Sequence, residues 1–417
     1  MKANLTNQQP VLKRLYPEGV EKVIYQASRL FERCKKDTKF TNEDRAVVVR
    51  ISGTSGGSAN FADALANQGA SQRIRFIVNR KREYQVYSVD GETVAATNGE
   101  PKAIVNVLKN EMTEALYKFG RSMANRANGA GGGSLGVIDA GVSLSTTTLP
   151  FATATDSQWI EVGDWIQFSD FNGTSASADP AVDLRGSGAA LQVVSINRQT
   201  GTAVMSAALD TVTGTAAGDF IFRRGDYSRA MTGLRGWAPS ADPSAAENFM
   251  GVDRTDYDLV RAAGFRYTAG AGGSKQDAII KAGAVASTHG INSLTSLYMS
   301  AVDFGNFVIE IGSQRLRDAT DSKVGYQFIE IYTPMAKGGV LKVVPEPHLP
   351  EGFAWGINDE KFVMRSAGPC PSMLDHAGLG GKGLLMPQDD DAVQGRLGCY
   401  GNFTLDNPGE AVIIQLT

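Results

Sequence analysis

The chain has 417 residues, 42% hydrophobic and 20% charged, a globular balance long enough for two or three domains and unlike that of a disordered protein. Forty-one basic against 44 acidic side chains leave a net charge of −3, which excludes a strongly basic nucleic-acid binder. The charge is nonetheless divided: residues 1–136 carry 21 basic and 13 acidic groups, residues 139–224 carry 4 and 9, and the remainder 16 and 22.

In chain order, Val20, Val23, Ile24, Ala27 and Leu30 lie near a 3.6-residue period and predict a helix over 10–35. The opening MKANLTNQQPVLKR lacks the apolar core of a secretory signal, so synthesis in a reducing cytoplasm is expected. Ala46–Ile51 is β-branched and reads as a strand; Ser52–Ser58 is glycine and serine, and Asn60–Ala66 a short helical patch. Ile74–Val78, the basic corner Arg80-Lys81-Arg82 and Tyr84–Val89 follow, closed by Asp90-Gly91. Two long strands around a polar excursion predict an extended hairpin. Pro101 and the repeat Ile104, Leu108, Met112, Ala115, Phe119, Met123 predict a helix over 101–127, stopped by the glycine-rich Asn128–Gly136.

Helical periodicity vanishes from Val137 to Gly225. Short strands about ten residues apart, with a hairpin turn at Asn197–Gly201, predict an inserted all-β module. The alternation of Trp159, Trp165 and Phe171 favours core positions over a ligand site. Beyond it, Ser274 and Ser300 each precede an aspartate by three residues and predict capped helices over 275–288 and 301–311. Strands are expected at Ser296–Met299, Phe328–Tyr332, Gly339–Val344, Phe362–Arg365 and Ala411–Leu416, giving a mixed α/β region.

Candidate chemistry is sparse. Gly53-Thr54-Ser55-Gly56-Gly57 fits a nucleophile elbow on Ser55, but only one strand precedes it, so a loop is expected. Gly378–Gly383 fits G-x-G-x-x-G but lies among Pro369, Pro371 and Pro387 rather than between a strand and a helix. His289, His348 and His376 are scattered, and Asp389–Asp391 reads as a solvated turn. Cys34, Cys370 and Cys399 have neither a metal-ligand spacing nor a disulfide framework. No catalytic residue, cofactor or metal is expected. Arg73, Arg75, Arg80, Lys81 and Arg82, alternating with Ile74, Phe76 and Ile77, are expected on an edge strand facing a neighbouring subunit rather than phosphates.

Several segments together resemble one family. These are Tyr84–Glu92 (YQVYSVDGE) before the long helix, Gly132–Gly136 after it, Gly233–Pro239 (GLRGWAP), Gly251–Thr255, and Tyr332–Gly339 leading into Val343–Pro347. In this order they resemble a tailed-bacteriophage major capsid protein of the Hong Kong 97 type, over nearly the whole chain except 137–225. The resemblance implies an α+β fold with an arm (1–44), an extended loop (45–83), a peripheral domain with a spine helix (84–136), an inserted all-β domain (137–225), a return to the peripheral domain (226–255), an axial domain (256–385) and C-terminal peripheral strands (386–417). It implies self-assembly as pentamers and hexamers into an icosahedral shell around double-stranded DNA, with portal and scaffolding or decoration proteins as partners, in a virion assembled in the host cytoplasm. Lys13, Arg14, Lys22, Arg29, Arg33, Lys35 and Lys36 of the arm are then expected to face the genome or acidic neighbours. An encapsulin-type compartment and a hydrolase built on Ser55 are the competing readings.

Overall fold

A computed structural model describes residues 28–90, 101–175, 177–244, 248–270, 273–311, 319–320, 327–373, 384–385 and 392–416. Ser28 is extended (φ −151°, ψ 129°) and its hydroxyl caps a five-residue helix, α1 (Arg29–Arg33). A helix over 10–35 is therefore interrupted at Ser28. The Ser28 hydroxyl and the Glu346 carboxylate accept the Phe31 and Leu30 N–H groups, which a continuous helix would bond internally. Residues 10–27 lie outside the described residues.

After β1 (Lys35–Asp37), the strands β2 (Asp44–Arg50) and β3 (Arg73–Asn79) pair antiparallel from Asp44 opposite Asn79 to Arg50 opposite Arg73. Between them lies α2 (Phe61–Ala66). Period-two alternation buries Val47, Val49, Ile74, Phe76 and Val78 and turns Val48, Arg50, Arg73 and Arg75 outward. β4 (Lys81–Asp90) precedes the long helix α3 (Pro101–Asn128), about 42 Å in length. Its stripe of Met112, Ala115, Leu116, Phe119, Met123 and Ala127 is buried.

The next six strands, β5 (Ser134–Val137), β6 (Thr148–Pro150), β7 (Trp165–Ser169), β8 (Leu191–Asn197), β9 (Thr202–Met205) and β10 (Phe220–Arg223), form a sheet of their own in the order β5-β10-β7-β8-β9-β6. Its core, including Ile138, Leu149, Ile166, Phe168, Leu209 and Ile221, is separate from the other clusters. In the β8–β9 turn the Asn197 side chain accepts the Gln199 and Thr200 N–H groups. Two aromatics expected in this core are outside it: Trp165 is 44% and Phe171 55% exposed. Trp165 has the opposite parity to the inward Ile166 and Phe168, and Phe171 lies beyond the end of β7. Trp159 sits in a 3-10 turn and packs on His348, ring centroids 4.6 Å apart.

The chain continues through β11 (Asn248–Phe249), β12 (Val252–Asp253), β13 (Phe265–Thr268), α4 (Lys275–Thr288), β14 (Ser296–Met299), α5 (Ala301–Ile311), β15 (Ala319–Thr320), β16 (Gln327–Tyr332), β17 (Val340–Pro345) and β18 (Phe353–Ile357). Ser274 accepts the Asp277 N–H at 3.1 Å and Ser300 the Asp303 N–H at 3.0 Å, so both helices start where the serine–aspartate spacing predicts. The last strands are β19 (Phe362–Ser366), β20 (Ser372–Met373), β21 (Leu384–Leu385), β22 (Ala392–Leu405) and β23 (Val412–Gln415).

Two further sheets result, and the chain changes between them. One has the order β13-β23-β18-β14-β17-β16-β15, with β13/β23 and β14/β17 parallel. The other centres on β22, paired with β4 along Ala392–Gly401 and with β19 along Gly401–Leu405. β19 and β20 thus belong with β4, and β23 with β13–β18, so a boundary at residue 385 does not follow the sheets. Gly395 lies under the Tyr87 ring, which leaves no room for a Cβ. Cys370 and Cys399 form a disulfide with Cα atoms 5.1 Å apart, which corrects the expectation of no disulfide. Residues 29 apart in sequence meet because β20 pairs Ser372 with Gly398.

Candidate assembly surface

The hairpin β2–β3 has a built-in base and an unsupported tip. At the base Phe76 packs edge-on against Trp237 (5.4 Å) and Phe249 (6.0 Å), and the Ile77 N–H donates to the Met250 carbonyl. The hairpin's inner face belongs to the same cluster as α3 and β22, so the base rests on its own subunit. The extended hairpin expected from the sequence is thus packed on its own chain at the base. The tip differs. Asn60 caps α2 through the Ala62 N–H, yet α2 buries no residue; Phe61 is 81% and Leu65 60% exposed, one turn apart on the same face. A helix of six residues without tertiary packing is far below the length that is stable alone. On the outer face Arg50 stands opposite Arg73 and Val48 opposite Arg75, all exposed. Like charges directly opposed across a strand pair are destabilising without a counter-charge.

The basic residues singled out in the sequence fall into different settings. Lys13, Arg14 and Lys22 lie outside the described residues. Arg29 is buried, Arg33 donates to the Ser296 hydroxyl at 3.1 Å, Lys36 sits 5.5 Å from the Phe31 ring, and Lys35 is exposed. Arg80 donates to the Thr41 carbonyl and Lys81 to the Ser228 carbonyl at 2.8 Å, while Arg82 is exposed. They form no single patch.

Two joints hold the parts together. Glu83 on β4 is buried among Arg126 and Ser122 of α3 and Arg223 of β10, and Arg126 and Arg223 also bind Asp226. Burial pushes the Glu83 carboxyl up, but Arg126 and Arg223 outweigh it and hold the group at about 2. The inserted sheet leans on α3 through Lys118–Asp164 and Arg121–Glu161, and the Gln158 side chain donates to the Pro347 carbonyl at 3.3 Å. At the second joint the fully buried Glu346 accepts from Ser28, the Leu30 N–H and Asn128, and lies 2.6 Å from His348 Nδ1. Sequence reading missed both joints. The signal for the first was parity: Glu83 falls on the same side of β4 as the buried Tyr87 and Val89.

Ser55 sits on the exposed tip, where its hydroxyl donates to the Asn67 carbonyl, and its backbone bridges Gly69. No described histidine is near it: His289 stacks on Phe265 and His348 on Trp159. His376, Gly378–Gly383 and Asp389–Asp391 lie outside the described residues. Among the described residues no group of three or more His, Cys, Asp or Glu side chains is placed to hold a metal, and no helix is long and apolar enough to cross a membrane.

No protein-family model and no curated protein matches the sequence. Among solved structures, the capsid asymmetric unit of cyanophage A-1(L) is 8% identical, with 95% of this chain and 92% of that one covered and a TM-score of 0.47. The capsid of a native GTA particle is 10% identical over 93% and 89%, with a TM-score of 0.45. Gordonia phage Cozz is 13% identical over 94% and 86%, with a TM-score of 0.38.

Proposed function

We propose that the chain is a major capsid protein of the Hong Kong 97 type, a non-enzymatic subunit that assembles as pentamers and hexamers into the icosahedral head of a tailed double-stranded DNA bacteriophage. The carrying observation is the hairpin, whose base is anchored in its own core while its tip presents Phe61, Leu65 and three outward arginines with nothing to rest on. An adjacent copy offers a complement: Glu111, Glu114 and Tyr117 are exposed along one face of α3. In this reading the tip of the β2–β3 hairpin overlaps the next subunit, and α3 with the β4–β22 sheet is the peripheral domain. The β13–β23 sheet is the axial domain, and the inserted sheet stands outside the shell. The acidic insert is kept from DNA by charge, and the arm's exposed Lys35 and Lys36 meet the genome by weak, salt-dependent contacts.

Removing residues 52–70 tests this reading. Ile51 and Gln72 are hydrogen bonded at 2.9 Å, so the deletion leaves strand ends that a short turn closes. The subunit is expected to fold with an unchanged melting transition yet form no shells by electron microscopy. Intact shells from the deletion variant would overturn the overlap. The contents of parental particles, nucleic acid or protein, separate a phage head from a cargo compartment.

A further inference from the structure

A second surface lies away from the hairpin tip. A cleft of about 960 Å³ runs between β4 and the near end of the inserted sheet. Residues Arg80 through Val86 line it without a gap, the inward Glu83 as well as the outward Tyr84, so β4 presents its edge rather than a face. That edge is open, because β4 pairs only with β22 among the described strands. An unpaired strand edge exposes alternating N–H and C=O groups, a template for another strand.

The charges in the cleft are one-sided. Its acids are already taken: Asp164 by Lys118, and Glu83 and Asp226 by Arg126 and Arg223. Arg82, Arg224 and Arg229 are exposed and have no acidic partner among the described residues, and Arg80 and Lys81 donate only to backbone carbonyls. Lys81 registers the resulting field, since burial and the charge of Arg229 both lower its pKa. Apolar surface sits between the cations: Tyr84 is 45%, Val86 47% and Trp165 44% exposed.

We propose that this cleft docks an acidic, extended polypeptide segment of a partner protein, added as a strand to the open edge of β4. The partner's carboxylates meet Arg82, Arg224 and Arg229, and its apolar side chains lie on Tyr84, Val86 and Trp165. A strand fits better than a nucleic acid because the edge offers carbonyl acceptors as well as N–H donors, and phosphates would meet the carbonyls unfavourably. The proposal does not depend on shell formation, so its failure leaves the assembly reading untouched.

The test is fluorescence anisotropy of the full-length protein with a labelled eight-residue peptide alternating glutamate and valine. Saturable binding that weakens with salt is expected, falling about tenfold or more in Arg82→Glu/Arg224→Glu. The same peptide methylated at every backbone nitrogen, a lysine–valine peptide and an eight-nucleotide thymidine oligomer are each expected to bind at least about tenfold more weakly. If the double variant loses the parental melting transition, Arg229→Gln serves instead, with a smaller loss expected. Absence of peptide binding, equal binding of the methylated peptide, an unaffected variant, or tighter binding of the oligonucleotide would each overturn the proposal.

Discussion

Glu83 is the residue on which three parts of the molecule converge, and its charge is held by the buried Arg126 and the half-buried Arg223 rather than by water. Its folded pKa, about 2, lies below the ordinary glutamate value of about 4.3. The stabilisation it provides is therefore fully present above roughly pH 4.3 and is lost as pH falls towards 2. Glu83→Gln leaves Arg126 and Arg223 with Asp226 as their remaining acidic partner, an expected cost of about 3–5 kcal/mol at neutral pH. Thermal melts between pH 5 and 2.5 should then show a shallower acid loss than in the parent; equal slopes would contradict the assignment. Asp156 has the opposite sign. Burial raises its carboxyl to about 6 against the lowering pull of Arg235, so the stability it confers is present at low pH and lost as pH rises through about 6. Asp156→Asn should stabilise the protein at pH 7 by on the order of 2 kcal/mol, with no gain at pH 4. Melting curves at the two pH values check this. Neither environment was legible from spacing. Glu83 was visible only as a charge at a buried parity, and the cysteine pair only once β20 lay beside β22.

Elements with a strong local signal read correctly from sequence. α4 and α5 begin at serine caps followed by aspartate, and β14 is a short apolar run buried on both faces. β22 did not read as a strand because Gly395, Gly398 and Gly401 look like turn residues; two are glycine because Tyr87 and the Arg365 carbonyl approach too closely for a side chain. The hairpin was legible as an extended pair, whereas the burial of its base depended on Trp237 and Phe249, far away in sequence. Base and tip should therefore respond differently to the same kind of change. Phe76→Ala, at a fully buried position, should cost the subunit about 3–5 kcal/mol in chemical denaturation. Phe61→Ala, at a position 81% exposed, should leave subunit stability unchanged and reduce the yield of assembled particles. The inserted sheet carries a parallel contrast, with Phe168→Ala destabilising it by a similar amount and Phe171→Ala within about 0.5 kcal/mol of the parent.

At the scale of the whole molecule, the three large sheets share two charged joints and, among the described residues, leave two unsatisfied surfaces, the hairpin tip and the open edge of β4. The order of motifs along the sequence pointed to a shell-forming subunit. The sheet memberships of β19, β20 and β23 were hidden because pairing between strands that are not neighbours in the chain leaves no periodic trace. In the proposed assembly, the apolar tip projecting from a well-packed base lies on a neighbour, and repeating that contact around symmetry axes closes a shell. Cryo-electron microscopy of the purified full-length protein tests this most directly. The account predicts closed icosahedral particles in which density for residues 52–72 of each subunit lies across the adjacent one. Monodisperse monomers, or particles in which the hairpin tip folds back onto its own subunit, would contradict it.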